Sequence, residues 1–586
     1  MDSVTVDIVV FAFIIIISFA LTVYKNLSDS KEKTKNEYVL ANESASSTWP
    51  MLMSIARGFL GVRVFLGYPS ELVYRGSELW ETMYGILLAF PLVIFIFIPV
   101  YLRLGITSVY EYLDLRFKSK LIRCMASATY VIRTLLILGV ATLTPCIAIK
   151  TVIGVPYYAS ITVMTIAAIF CVFSGGFSSA LMGDVIQGIL MFTCCVVVIV
   201  KGSIENGPIN IIKTAHDRDR LNFFNFDLDP TKRATTISAL IGHLFISLSM
   251  YGCQQNYVQR YISMATEEKV KRVLLLSIPF NAVMMSLTWI VGMVIFATYA
   301  DCDPKKLQLI NDIDEIFPFY LEDKFSMIPG FLGVILGTLF NGSLSAVVSN
   351  LNSLATVLWE DFLANIQYFK QVSDVKAVRI IKILGALCGL IVMGVSFGIA
   401  KLNGIIEIFI IMTSATSGPL LGVFILAVFF PSVNWKGALA GMIAGCAVVT
   451  WVILGSLSLP RMADQYLPTS TAMCNNYTFS EAIMLHRAND TNELMSGITE
   501  NFVVSTEESI TQSHDISPEH ALTYFYKVTY LYYSVIGTSI TVIMGYLFSI
   551  TTGFQAEEYL YKDHLVHPLV IKRRPYHGAS LSMEVK

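Results

Sequence analysis

The chain has 586 residues, of which 55% are hydrophobic and only 14% charged, with a net charge of −2 and a mean hydropathy of +0.63. Soluble domains carry about 25% charged residues, so this composition excludes an ordinary soluble globular protein and points to a chain embedded in the lipid bilayer. The net charge says nothing about partners. No nucleic-acid motif accompanies it, and the one basic block, Lys572-Arg573-Arg574, reads as a tail.

A helix needs about 20 apolar residues to cross a bilayer. Runs of that kind begin at roughly 7–24, 50–73, 80–101 and 122–150. They continue at roughly 157–174, 181–203, 236–256, 272–299 and 329–358. The last four are roughly 377–400, 405–430, 436–457 and 526–551, about 13 spans in all. Ten-residue alternating strands are absent, so a helical bundle is expected rather than a barrel. The first run lacks the basic start and small-residue cleavage site of a signal peptide, and is read as an anchor helix.

Basic residues fall in alternate loops: Lys25, Lys31, Lys33 and Lys35 after the first span, Arg103, Arg116, Lys118 and Lys120 after the third, Arg260, Lys269, Lys271 and Arg272 after the seventh. Such loops face the cytoplasm. The N-terminus is then outside and the C-terminus inside. The expected order is residues 1–48 (outer N-terminus, anchor helix, inner loop), 49–204 (a first five-helix group), 205–235 (outer loop), 236–430 (a second five-helix group), 431–551 (further helices with an outer loop at 458–525) and 552–586 (inner tail). The outer loop holds the glycosylation sequons at Asn476 and Asn489. Cys302 and Cys474 fall in predicted outer loops, where pairing is permitted by the oxidising exterior. The spacing alone does not decide it.

Each five-helix group opens on an interrupted helix. The interruptions are ARGFLGVR, from Ala56 to Arg63, and SLSMYGCQQN, residues 247–256. Paired interruptions at corresponding places are a pointer to a transporter's mid-membrane binding site. Metal-spaced histidines and the sequence patterns of zinc proteases, serine hydrolases and nucleotide-binding loops are missing, so an enzyme is not expected.

Several motifs then carry a resemblance. LGYPSELVYRGS (66–77), RLGITSVYEYLDLRF (103–117), SGGFSSALMGDVIQGILMF (174–192), YGCQQNYVQRYIS (251–263), IPGFLGVILGTLFNGSLSAVVSNLNSLATVLWEDF (328–362) and GPLLGVFILAVFFPSVNWKGALAGMIAG (418–445) resemble, in order, signatures of the sodium/solute symporter family. The branch resembled takes monocarboxylates, vitamins and iodide. The resemblance implies an all-α membrane protein with a LeuT-like inverted five-helix repeat and flanking helices. It implies a plasma-membrane secondary active transporter that moves a small organic anion with sodium by alternating access.

On matching positions the family's sodium ligands fall on Arg57, Leu60, Ser345, Val348 and Ser349. One of two expected hydroxyls is therefore lost at Val348. A fixed charge stands at Arg57. Substrate contacts carried over in the same way are Val64 and Tyr68 in the first broken helix and Gln254 and Gln255 in the second, with Arg63 added for its ability to grip a carboxylate. An arginine at mid-membrane costs about 2.5–3.5 kcal/mol, so each needs a partner or water. Three readings of Arg57 stand. It replaces the sodium ion, with Asp184 as counter-charge; it points away while sodium binds; or it forms a structural ion pair. A like charge 4 Å from sodium would cost about 4 kcal/mol at an effective dielectric of 20, roughly a thousandfold in affinity. The first reading gives a sodium-independent carrier. A ligand sensor without flux is a further alternative on the same fold.

Overall fold

A computed structural model describes residues 3–28, 48–59, 61–104, 106–174, 177–264, 266–402, 405–458, 466–474, 479, 523–554 and 565–569. Among the described residues there are helices and turns and no strand. Eleven helical segments are long and apolar enough to cross a membrane. The protein is a multi-pass helical membrane protein.

The helices in chain order are α1 (Ser3–Ser28), α2 (Thr48–Phe59), α3 (Val62–Arg75), α4 (Thr82–Ile96), α5 (Ile98–Leu104), α6 (Glu111–Phe117), α7 (Lys120–Ile153), α8 (Tyr157–Ser174), α9 (Phe177–Asn206) and α10 (Pro208–Asp217). They continue as α11 (Thr236–Cys253), α12 (Gln255–Ile262), α13 (Glu267–Tyr299), α14 (Ile316–Phe325), α15 (Phe331–Val357), α16 (Asp374–Ile399), α17 (Ile405–Phe429), α18 (Trp435–Ser458) and α19 (Tyr533–Thr552).

Both expected interruptions are present. The first helix stops at Phe59 and resumes at Val62, with Gly61 extended at its N-cap. The second stops at Cys253, Gln254 takes an extended conformation, and Gln255 starts the next helix. A broken helix frees backbone groups that water or a solute must satisfy, and inside a membrane such backbone survives only beside a cavity or against protein. The run expected at about 80–101 is likewise two helices, α4 and α5, meeting at Phe97. Pro91 removes one backbone donor within α4.

The packing brings the two halves together. α13 lies along both α2 and α3, α4 lies along α11, and α7 lies along α15 and α16. A Cβ placed on Gly85 of α4 would stand 2.5 Å from the Leu240 carbonyl of α11, so only glycine admits this approach. Small residues at helix contacts are how membrane helices pack when lipid removes the hydrophobic driving force. Glycines 437, 441 and 445 of α18 do the same against α19, where Gly545 and Thr541 lie opposite. Outside this set, α1 packs on α15. The Asp7 carboxylate accepts a hydrogen bond from the Gly333 N–H at 3.1 Å, capping α15 from a neighbouring helix.

Polar ties close both ends of the bundle. At one end Glu71 accepts from Arg75 at 2.8 Å and from Arg233 at 2.8 Å, and Arg75 also pairs with Glu407 of α17 at 3.2 Å. Close by, Cys302 and Cys474 form a disulfide. The peptide beside Cys474 is hydrogen-bonded along its length: the Leu467 N–H donates to the Tyr74 carbonyl at 2.8 Å, the Asp303 N–H to Ser470, and the Met473 N–H to Asp301. Arg220, in the loop after α10, donates to the carbonyls of Val73 and Pro468, and burial lowers its guanidinium pKa to about 10.

At the other end Asp361 accepts from Ser108 at 2.9 Å, Ser127 at 2.6 Å and Arg123 at 2.7 Å. The segment 565–569 is seated here too. The His567 N–H donates to the Val428 carbonyl, its Nε2 lies 2.7 Å from the Phe95 carbonyl, and Tyr112 donates to the Leu565 carbonyl at 2.9 Å.

Candidate functional site

A small cavity lies between the two broken helices. It is bounded by Gly61 and Arg63 at the first break, by Gln254, Asn256, Tyr257 and Arg260 at the second, by α7, by Asp184 of α9 and by Phe409 of α17. The α7 wall comes from residues 133, 134, 137, 138 and 141. That spacing of three and four is one helix face.

Among the described residues, three guanidinium groups and one carboxylate line this space. Arg260 is matched: its Nη2 stands 3.8 Å from Asp184 Oδ2 and donates to Ser349 Oγ at 3.1 Å. Its Nη1 donates to the Asn256 carbonyl at 3.0 Å. Asp184 also accepts from Ser54 at 2.6 Å and from Ser345 at 2.7 Å. Asp184 thus faces Arg260; the side chain of Arg57, for which it was the expected counter-charge, lies outside the described residues.

Arg133 is different. It is 1% exposed and sits at the middle of α7. Its Nη1 donates to Ser417 Oγ at 2.9 Å. With the Gln254 amide turned to satisfy its neighbours, the amide oxygen accepts from Arg133 Nη1 at 2.5 Å and Nη2 at 3.0 Å. These are neutral partners. Among the described residues no carboxylate stands within 4.0 Å of Arg133, although a buried guanidinium is costly without one. Arg63, the third, lies with its carbon 3.8 Å from the centre of the Phe409 ring, a stacked arrangement that suits a planar guanidinium.

The residues singled out from sequence separate on this geometry. Arg63, Gln254 and Asp184 reach the cavity wall. Ser345 and Ser349 lie just behind it, hydrogen-bonded to Asp184 and Arg260. Val348 is buried and supplies no hydroxyl. Val64, Tyr68 and Gln255 do not line the cavity. Tyr68 stacks on Trp289 with ring centres 5.5 Å apart. Gln255 staples the approach to α6, accepting from the Val109 N–H and donating to the Thr107 carbonyl, both at 2.8 Å. Leu60, Asn476 and Asn489 lie outside the described residues, and Arg57 is described only as part of the α2 backbone. Arg133 and Arg260 were missed by sequence reasoning that looked for charge only at the first break. The signal for Arg133 was available: an arginine deep in the apolar run 122–150, unlike Arg123 at its edge, is a site residue by default.

Residues 38–445 match the sodium:solute symporter family. The chain belongs to that family. It is a transporter rather than an enzyme. The symporter is 31% identical over 573 residues to the sodium-coupled monocarboxylate transporter 2 of Bos taurus, spanning 97% of this chain and 86% of the relative. It is 31% identical over 552 residues to the sodium-coupled monocarboxylate transporter 1 of Mus musculus, covering 93% of this chain and 87% of that one. To the sodium/iodide cotransporter of Homo sapiens it is 30% identical over 555 residues, with 93% and 83% covered. Its fold matches a substrate-bound, outward-open sodium-coupled sialic acid symporter at a TM-score of 0.72 and 19% identity, covering 94% of this chain and 99% of that chain. The likeness in fold establishes the LeuT-like architecture.

Proposed function

We propose that this symporter carries a small organic anion across the plasma membrane with sodium, its N-terminus outside and its C-terminus inside. Arg133 carries this reading. A guanidinium at mid-membrane with only neutral partners is set to receive a carboxylate, which accepts its two parallel N–H groups. Gln254 holds the fork in place until the anion arrives, and it does so from the break of α11 and α12. Substrate entry therefore exchanges a neutral contact at the hinge for a charged one.

Sodium enters as the co-substrate. Its oxygen ligands come from the cluster around Asp184 and Ser345, since a hard cation takes oxygen donors and Val348 offers none from its side chain. Asp184 also holds Arg260, so sodium and Arg260 compete for one carboxylate between the repeats, and their like charges repel. That competition couples ion binding to the position of α12. The relatives' names place monocarboxylates and iodide among the anions of related carriers.

The test is uptake by the purified protein in liposomes, with labelled carboxylates and sodium or choline outside. Sodium-dependent uptake lost in Arg133→Gln supports the reading. Sodium-indifferent uptake that changes in Arg57→Ala favours instead a carrier in which Arg57 replaces the ion. Saturable binding without uptake identifies a sensor.

A further inference from the structure

Arg133 divides its donors between two residues. With the Gln254 amide turned, its oxygen accepts from Nη1 at 2.5 Å and from Nη2 at 3.0 Å. An oxygen that meets both nitrogens sits at the outer end of the guanidinium, on the two N–H groups that run parallel. Nη1 has one further N–H, and Ser417 Oγ accepts from this nitrogen at 2.9 Å. Nε meets no partner. Among the described residues, Ser417 and Gln254 are therefore what hold this guanidinium in place.

The two contacts fare differently when a carboxylate arrives. The anion takes the parallel pair, so Gln254 gives it up. Ser417 stands on the other side of Nη1 and keeps its hold. It is fully buried, on a stretch of α17 that α19 holds still. The Ser534 N–H of α19 donates to Ser414 Oγ at 2.9 Å, and Thr538 Oγ1 donates to the Gly418 carbonyl at 3.0 Å. A Cβ on Gly418 would stand 2.5 Å from the Ser534 carbonyl oxygen, so the two backbones touch here. Pro419 deprives the carbonyl one turn earlier of its helical donor. The contact with α19 thus stiffens α17 where its own ladder is interrupted.

We infer that Ser417 is a positioning residue for the substrate carboxylate, fixing the plane of the Arg133 guanidinium from the side the anion does not use. This deepens the transport reading above and rests on it. A planar carboxylate profits from the fork only when both N–H groups point at it, so a guanidinium free to turn loses that advantage. A spherical anion has no plane to match and gains little from the orientation. Ser417 therefore sets the preference for a carboxylate over a halide through Arg133. Through Ser417, α19 enters the selectivity as well, although none of its residues bounds the cavity.

The experiment is sodium-driven uptake of labelled butyrate, lactate and succinate in proteoliposomes, with iodide as competitor and a melting curve for each protein. Ser417→Ala should raise KM for the carboxylate carried best by about tenfold, the worth of one hydrogen bond to a charged group. Its kcat and its sodium requirement should stay within about twofold of wild type, because the loss lies in binding. Ser417→Thr keeps the hydroxyl and should stay within about threefold of wild type. Iodide should compete no worse against Ser417→Ala than against wild type. Thr538→Val releases the brace instead of the hydroxyl and should raise KM by about threefold; it decides the matter if Ser417→Ala does not fold. A wild-type KM in Ser417→Ala, with uptake lost in Arg133→Gln, overturns this inference alone. So does an equal loss in Ser417→Thr, or iodide competition weakened as much as carboxylate uptake, because orientation is then not what was lost. Sodium-driven uptake of none of the three carboxylates by the wild type, or uptake that survives Arg133→Gln, overturns this inference together with the reading it rests on.

Discussion

Arg260 Nη2 and Asp184 Oδ2 stand 3.8 Å apart, joining the second broken helix to α9 across the cavity wall. Ser345 and Ser54 also donate to the carboxylate. Asp184→Asn keeps the shape and removes the charge. We expect it to leave Arg260 buried without its counter-ion, to destabilise the protein by about 3 kcal/mol or more, and to raise the sodium concentration needed for half-maximal uptake. Sodium titration of uptake in liposomes checks this; an unchanged sodium requirement would place the ion elsewhere.

Replacing Arg133 separates charge from bulk. Arg133→Gln should abolish carboxylate uptake while easing the burial of an uncompensated guanidinium, so thermal stability should hold or rise. Arg133→Lys keeps the charge but loses the fork, and should bind roughly ten- to a hundredfold more weakly. Uptake kinetics paired with a melting curve distinguish these outcomes. Wild-type uptake in Arg133→Gln would remove this residue from the site.

The Glu71 carboxylate lies between Arg75 and Arg233, and Arg75 reaches on to Glu407. Glu71→Gln leaves two buried guanidinium groups facing a neutral amide, a loss of about 3–5 kcal/mol for a buried pair. Because the network ties α3 to α17 and to the loop before α11, the variant should expose cysteines introduced into the cavity wall to a membrane-impermeant thiol reagent from that side. Labelling rates in the two proteins measure it.

The Cys302–Cys474 disulfide fixes the peptide 466–474 over the end of α3. It closes a span of 172 residues, and such crosslinks contribute about 2–4 kcal/mol. The paired substitution Cys302→Ser with Cys474→Ser should lower the melting temperature without changing the cavity's preference among carboxylates. Melting curves and competition uptake, run together, would show a changed preference if the peptide also shapes the site.

The sequence made the architecture legible because its signals were long. Spans of apolar residues and a glycine near each break mark it, and in lipid a helix has little alternative. The site was legible in part. Arg63, Gln254 and Asp184 reach the cavity because breaks and buried charge mark it directly. Tyr68 and Gln255 look equally eligible in sequence, yet their side chains turn to Trp289 and to the backbone near Val109. Rotation about a helix axis decides this, and a motif match does not encode rotation. Arg133 belongs to a helix with no break, where only its depth in the apolar run betrayed it. Arg260 sat in a quoted motif and was read as a loop charge, whereas it closes the second broken helix from inside the bundle.

The segment around His567 has a practical consequence. Its imidazole spans the gap between the Phe95 carbonyl of α4 and the rings of Phe95 and Phe429, while its neighbour Leu565 is held by Tyr112 of α6. Nδ1 accepts from the Leu569 N–H at 3.2 Å, so both ring nitrogens are engaged and the neutral tautomer carrying its proton on Nε2 fits. Any rearrangement that parts α4 from α17 at this end has to unpick those contacts first. His567→Ala would loosen the same tie, and turnover measured in that variant would report the tether as well as the carrier.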